Sequence, residues 1–510
     1  MAQPTQTSAL SPLEARFLMA VGAGLLALAA VWPLLDYLSN DDINYIRDTA
    51  HLSLVYVWSG RHLAGLATEV LRLFGDGVVQ AGPFLRILVL VMGPFYFLSL
   101  LHFAGIRLDR PSAALIASMV VTYPLALDLY SFNVNAIVVL LMYAVMVGYV
   151  RRMAPLFDRR PSVLTTLVLV VGLFFYQSVV MYAAMAALVV CFHKAESFRQ
   201  LIVALVFRAI EVVAAVVISL IVREGLDYML ANFAGMQMRD MKPLALIDSE
   251  TSAQKLGQFT EKFVDIVFGA NRHFFAVTKW TIYAACLAAV GYTLVRTRDT
   301  LCSIPRWKRL VSPLFLVGLL LLASNPYSIV TTAGVLNNRQ WGHGGLVFAT
   351  LAAMSISLVG NVALSRFLAA GCALAMAING SVVAFEAKRT SGTEALLTNR
   401  IVAEIEAVEG YNPRITPVGI IDRLNLYFFD GARRSHGGGL SPRITKSAYS
   451  ALSEVAGYEF RKPNGNQSAR MKKRCDALEA ETRYGIFYRV EPFENGVVVC
   501  FFTPRNQPRK

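Results

Sequence analysis

Long apolar runs separated by short polar clusters make up most of this chain, and their lengths predict helices. Such runs lie near 17–38, 84–104, 112–130, 134–150, 162–175, 177–193, 203–222, 274–295, 311–323, 345–364 and 367–386. About 20 apolar residues carry a helix across the hydrocarbon of a bilayer, so the pattern predicts about eleven spans. Two stretches depart from it. Residues 51–74 mix Leu, Val and Trp58 with Arg61, His62, Glu69 and Arg72. That is too polar for an ordinary span and predicts one or two interfacial or re-entrant helices. Between 223 and 272, Leu256, Phe259, Phe263 and Val267 recur at helical spacing, interleaved with Lys255, Glu261, Lys262 and Asp265. The pattern suits a helix lying in the membrane interface or, equally, a small helix packed on the protein.

From residue 387 the pattern turns soluble. Residues 394–409 read as an amphipathic helix with Leu397, Ile401, Ile405 and Val408 on one stripe. Short apolar runs follow at 416–421 and 425–429. Runs at 484–490 and 497–502 flank an Asn495-Gly496 turn signal and predict a hairpin. The reading is a polytopic α-helical membrane region, 17–386, behind a short tail, 1–16, and ahead of a soluble α+β domain, 387–510, of ordinary domain size.

Composition agrees. The 510 residues are 55% hydrophobic and 16% charged, against about 25% charged in a soluble protein; mean hydropathy is +0.51. Ala27-Leu28-Ala29 would pass as a signal-peptide cleavage site, but the apolar run is too long and many spans follow, so an uncleaved helix is expected. The net charge of +14 invites a nucleic-acid reading. It is rejected, because the basic residues form short clusters between helices plus one terminal domain, and such clusters report topology.

The basic loops hold Arg107 and Arg110; Arg151, Arg152, Arg159 and Arg160; Lys194, Arg199 and Arg208; Arg296, Arg298, Arg306, Lys308 and Arg309; and Arg366. The positive-inside rule places them in the cytoplasm. The N-terminus is then inside and the C-terminus outside. Loops at 39–83, 223–273 and 324–344 join the tail on the outer face, where function is expected. The tail carries 20 Lys and Arg against 13 Asp and Glu. A basic surface there would meet phosphorylated headgroups or an anionic glycan, or would simply be a solvated charged surface. Of six cysteines, Cys191, Cys286 and Cys372 fall in or beside spans and Cys302 in an inner loop. Cys475 and Cys500 share the tail, where an oxidising compartment would permit, without requiring, a bridge. No Cys/His spacing resembles a metal site.

Candidate chemistry centres on Asp41 and Asp42, placed just past the first span. Carboxylates at the mouth of a span usually serve a function, because lipid offers them no solvation; the bland alternative is a cap on the next helix. For sugar transfer from a lipid phosphate, one carboxylate takes the acceptor's proton while cations stabilise the departing phosphate. Asp42 is favoured as the base, with Asp41 orienting it or holding a sugar hydroxyl. Arg47, Arg61 and Arg339 are the phosphate candidates, since the guanidinium fork matches phosphate oxygens; interfacial anchoring is the alternative. His62, Tyr176, Gln177 and His343 are candidate sugar contacts, although an interhelical hydrogen bond also suits Gln177. Two neighbouring aspartates beside an outward phosphate would also suit a divalent metal; no other cofactor is implied.

The order of these elements resembles the type II Gtr glucosyltransferases, the membrane enzymes that modify O-antigen. An N-terminal span is followed by Asp41-Asp42 with Arg47 downstream, then by Gly60-Arg61-His62-Leu63, a Leu-rich segment and a new span. Phe175-Tyr176-Gln177-Ser178 resembles that family's Tyr-Gln-Ala-Ser element, and residues 399–409 resemble the helix after its last span. His62 departs from the proline or small residue expected after Gly-Arg, and the tail is larger and more basic. The resemblance implies a GT-C type fold in a bacterial inner membrane, with the outer loops and tail periplasmic. It implies inverting transfer of glucose, or another hexose, from undecaprenyl phosphate to a surface or lipid-linked glycan, with Asp41, Asp42 and Arg61 as site residues. Two other classes stay in view. A transporter of lipid-linked sugars would bury charges mid-span and repeat its halves, and the sequence displays neither. An envelope scaffold would need no outward acids.

Overall fold

The computed structural model describes residues 11–35, 49–58, 61–73, 81–130, 133–234, 249–269, 274–296, 304–324, 326, 342–421, 443–481 and 488–501. Asp41, Asp42, Arg47 and Arg339 lie outside the described residues, as do the runs 425–429 and 484–487. The described chain divides into two compact units, with the boundary between Ala384 and Phe385.

The first unit is helical: α1 (Pro12–Val31), α2 (Thr49–Trp58), α3 (His62–Arg72), α4 (Gly82–Ala104), α5 (Arg110–Thr122), α6 (Pro124–Tyr130), α7 (Asn133–Met153), α8 (Val163–Phe175), α9 (Val179–Lys194), α10 (Phe198–Ala234), α11 (Ser249–Val267), α12 (Ala276–Arg296), α13 (Arg306–Ala323), α14 (Gly344–Ile356) and the start of α15 (Val362–Glu406). Local chemistry sets the ends. Ser11 and Glu14 form a reciprocal capping box at α1, and Pro33 sits in the short 3-10 turn that closes it. Gly105, at φ 80°, stops α4 in the left-handed region, and Asp109 caps α5. Ala20, Ala23 and Ala27 bring α1 close to its neighbours. At Gly24 a Cβ would lie 3.0 Å from the Leu90 carbonyl oxygen of α4, so nothing larger fits without a shift.

The molecule is a helical membrane protein. Among the described residues five helices, Pro12–Leu34, Gly82–Ala104, Asn135–Leu156, Phe198–Asn232 and Val362–Glu406, are long and apolar enough to cross a bilayer. They coincide with five of the predicted runs. Four more runs correspond to shorter apolar helices, α5, α8, α9 and α14. The breaks have local causes. Pro124 cannot continue α5, and Tyr176, extended at φ −155°, separates α8 from α9. Apolar side chains face outward along α10, with Val213 61% and Ile221 66% exposed, as a lipid-facing helix requires.

Residues 51–74 hold two helices, α2 and α3, within the one or two expected, and Arg61 stands just ahead of the second. Two boundaries differ from expectation. The run expected at 203–222 extends to Ala234, so Arg223 and Asp227 lie on a helix instead of in a loop. The span expected at 367–386 and the helix expected at 394–409 are one 45-residue helix. The polar link between them holds no proline, and Thr390 and Thr393 turn their hydroxyls back onto the Glu386 and Arg389 carbonyls.

Helix ends in the first unit gather on two rims. One joins the basic loops. Arg366 pairs with Asp109 at 3.0 Å, Lys194 donates to the Ala154 carbonyl and Lys308 to that of His193. Arg208, read from sequence as part of a basic loop, forms a fully buried ion pair with Glu211 at 2.7 Å. The other rim carries the end of α1, the α2–α3 pair, the start of α7, the α8–α9 turn and the end of α10.

The second unit holds the end of α15, β1 (Val418–Ile421), α16 (Arg443–Ala456), α17 (Gly465–Glu481), β2 (Tyr488–Phe493) and β3 (Gly496–Phe501). The strand order is β1-β3-β2, parallel to β1 and antiparallel to β2. Central β3 is buried on both faces, which explains its unbroken apolar sequence. Val497, Val499 and Phe501 pack with Ile401, Ile405 and Leu452, while Val498 and Cys500 face Met471 and Leu478 of α17. Leu397 and Val408 complete the stripe read from sequence. The hairpin turns one residue earlier than expected, at Glu494-Asn495, with Glu494 at φ 51°. Cys475 and Cys500 form a disulfide that ties α17 to β3.

Candidate functional site

The α2–α3 reversal brings chemistry to the second rim. The Arg61 amide donates to the Tyr56 carbonyl at 2.8 Å and turns the chain back at once. The Tyr56 hydroxyl donates to Asn135 at 2.7 Å, fixing α2 to the start of α7, and Ser53 donates to Glu69 across the helix pair. α3 also packs against α7 and α8.

This fold sets Arg61 over the ring of Tyr176, with Cζ 4.8 Å from the centroid. Such a cation–π contact contributes about 0.5–2 kcal/mol and holds the guanidinium without engaging its N–H groups. Arg61 Nε is buried with no hydrogen-bond partner, which leaves a donor for an incoming anion. Tyr176 is buried in the α8–α9 break, whereas Gln177 beside it is exposed.

One residue on, His62 Nε2 lies 3.0 Å from Asp227 Oδ1, and Arg223 Nε lies 3.4 Å from Oδ2 of the same carboxylate. The imidazole meets Phe174 edge-on at 5.8 Å. Burial lowers the affinity of His62 for a proton, with Asp227 opposing that shift. A neutral imidazole donates Nε2–H to the carboxylate, so its Nδ1 presents a lone pair. That atom is buried and without a partner. Carboxylate, imidazole and a free ring nitrogen make up a proton-accepting arrangement.

Arg86, fully buried, donates to the Leu34 and Leu35 carbonyls where α1 ends, directly ahead of the segment that carries Asp41 and Asp42. His343 is equally buried. It contacts the Leu322 carbonyl at 2.6 Å and packs on Tyr182, which gives it a place in the helix core. The structure therefore gathers Arg61, His62 and Tyr176. Sequence reasoning missed Asp227, Arg223 and Arg86. The first two stand four residues apart in a continuing apolar pattern, and extending α10 by that periodicity would have found them. Among the described residues no group of three or more His, Cys, Asp or Glu side chains could hold a metal ion. No family model matches the chain, and no curated protein or solved structure matches it significantly.

Proposed function

We propose that the protein is an inverting hexosyltransferase of GT-C type. It moves glucose or another hexose from a polyprenyl-phosphate donor to a surface or lipid-linked glycan such as O-antigen. The reaction takes place at the periplasmic face of a bacterial inner membrane. The observation that carries this reading is the pairing, at one rim of a membrane protein, of an arginine with an unengaged donor and a histidine–carboxylate pair. The disulfide in the second unit supports export of that unit, since such bonds persist in oxidising compartments.

In this reaction Arg61, with Arg47 and Arg339, neutralises the departing lipid phosphate. Tyr176 holds Arg61 in place, and Gln177 and His62 are the sugar contacts, while His343 stays in the helix core. Asp42 takes the proton of the acceptor hydroxyl as that oxygen attacks the anomeric carbon, and Asp41 orients it. A divalent metal, where present, would be held by the same two carboxylates and would supply further charge neutralisation.

The test is transfer from a polyprenyl-phosphate hexose in membranes holding the Asp41→Asn, Asp42→Asn double variant. Loss of at least about 100-fold is expected, the usual worth of a general base, with insertion unchanged. Undiminished glycan modification would overturn the reading. A second reading, a carrier of lipid-linked sugars, draws on the buried Arg208–Glu211 pair and the half-buried His62–Asp227–Arg223 group, since ionisable residues within a membrane protein often line transport paths. Transbilayer movement of the lipid-linked sugar, undiminished in the double variant, would favour it.

A further inference from the structure

The basic rim carries a second built site that the proposed reaction does not use. A cavity of about 580 Å³ lies between the end of α7 and the start of α8, lined by Arg151, Arg152, Ser162, Leu164 and Thr165 among others. Both arginines are exposed, and neither enters an ion pair among the described residues. Thr165 is fully buried, yet its hydroxyl has no hydrogen-bond partner. The Ser162 side chain makes no capping bond, so the first-turn N–H groups of α8 also face this end.

Among the described residues neither nearby acid pairs with Arg151 or Arg152. Glu211 accepts from the Ser162 amide and from Arg208, each at 2.7 Å, and Asp158 accepts from Gln200 at 2.9 Å. Arg208 is held in turn by the Arg159 carbonyl. Two open guanidinium groups, an unsatisfied hydroxyl and a helix N-terminus therefore converge on one space, and all favour an anion with several acceptor oxygens.

The surface below that space is apolar. Val163, Leu164, Leu167 and Val171 are 77%, 48%, 47% and 41% exposed. From the first to the last, a helix rises about 12 Å, close to the roughly 15 Å of hydrocarbon in one leaflet. The geometry points to a binding site for an anionic phospholipid. Its phosphate meets Arg151, Arg152 and the Thr165 hydroxyl, and an acyl chain lies along the exposed stripe of α8. The same phosphate chemistry would admit free phosphate, but only a lipid uses the stripe.

The experiment uses the full-length protein, stripped of lipid in detergent and offered phosphatidylglycerol, phosphatidylcholine or inorganic phosphate. Native mass spectrometry and melting temperature report binding. Phosphatidylglycerol should bind and protect. The choline ammonium, repelled by the arginines, should make phosphatidylcholine the weaker ligand. Arg151→Gln with Arg152→Gln should weaken phosphatidylglycerol about 30-fold, from about 1 kcal/mol per surface cation. Thr165→Val, which keeps the side-chain shape, should weaken it several-fold. Arg306→Gln with Arg309→Gln, on the same rim at α13, should leave binding unchanged. Equal loss in that control pair, full binding after loss of Arg151 and Arg152, or equal protection by inorganic phosphate would each overturn the lipid assignment.

Discussion

The two units treat charge in opposite ways. In the membrane unit Arg208 and Glu211 are 1% and 0% exposed, and each is also hydrogen-bonded to backbone. In the C-terminal unit each described ion pair keeps its arginine exposed. Arg474 is 42% and Glu491 10% exposed, and Arg470 and Glu494 are more open still. Water is the reason. A charge within a helical bundle in lipid must find its partners inside the protein, whereas a surface pair can fall back on solvent. The second unit takes its stability from a strand buried on both faces and a covalent tie.

The strongest way to break that contrast is to remove one half of the buried pair. Arg208→Met leaves the Glu211 carboxylate with only the Ser162 amide and should destabilise the membrane unit by about 3–5 kcal/mol. Thermal unfolding of the purified protein in detergent would measure it. Adding Glu211→Leu should recover most of the loss, because two apolar side chains need no partner. If the single variant melts like the parent, water reaches the pair and the contrast is false. Next in size is the disulfide. Cys475→Ser with Cys500→Ser should cost the C-terminal unit about 3 kcal/mol, from loop closure across the 25 residues that separate them. Limited proteolysis should then cut the tail while the membrane helices stay protected.

The His62–Asp227 pair sharpens the comparison through pH. Burial sets the His62 proton affinity below its unfolded value of about 6.5. Its contribution is therefore present above that value and lost as pH falls through the lower folded-state pKa. Melting temperature should drop on acidification below about pH 6.5, and His62→Gln should flatten that part of the slope. A steeper acid loss in the variant would contradict the assignment.

Much of this was legible in the sequence where a single rule governs. Run length gave the five long spans, and the Leu397–Val408 stripe gave the helix face that packs in the second unit. The runs at 416–421 and 497–502 gave two of its three strands. The misses arose where two rules compete. The polar link 388–393 reads as a loop, but lacks proline and stays helical. Asn-Gly is the stronger hairpin signal, yet burial of Val497 and Val499 in the core holds β3's register and moves the turn to Glu494-Asn495. Of the site, Arg61, His62 and Tyr176 were named from sequence. Asp227 was not: periodicity carries α10 as far as this residue, but no local pattern encodes its contact with His62, 165 positions away.

The smallest effect tests the other side of the contrast. Glu491 accepts two bonds from Arg474, at 3.1 and 2.9 Å, and lies 2.7 Å from Arg489 as well. Arg474→Gln therefore leaves the carboxylate paired with Arg489, and the exposed arginine is what solvent replaces. Exposed pairs contribute about 0–1 kcal/mol, so the change should stay near 0.5 kcal/mol and shrink further in high salt. Combining it with Arg489→Gln should cost more than the sum of the two single variants, since only then does the carboxylate lose both arginines. A cost for Arg474→Gln alone that matches Arg208→Met would mean that solvent contributes nothing at this surface. Burial would then not be what separates the two units.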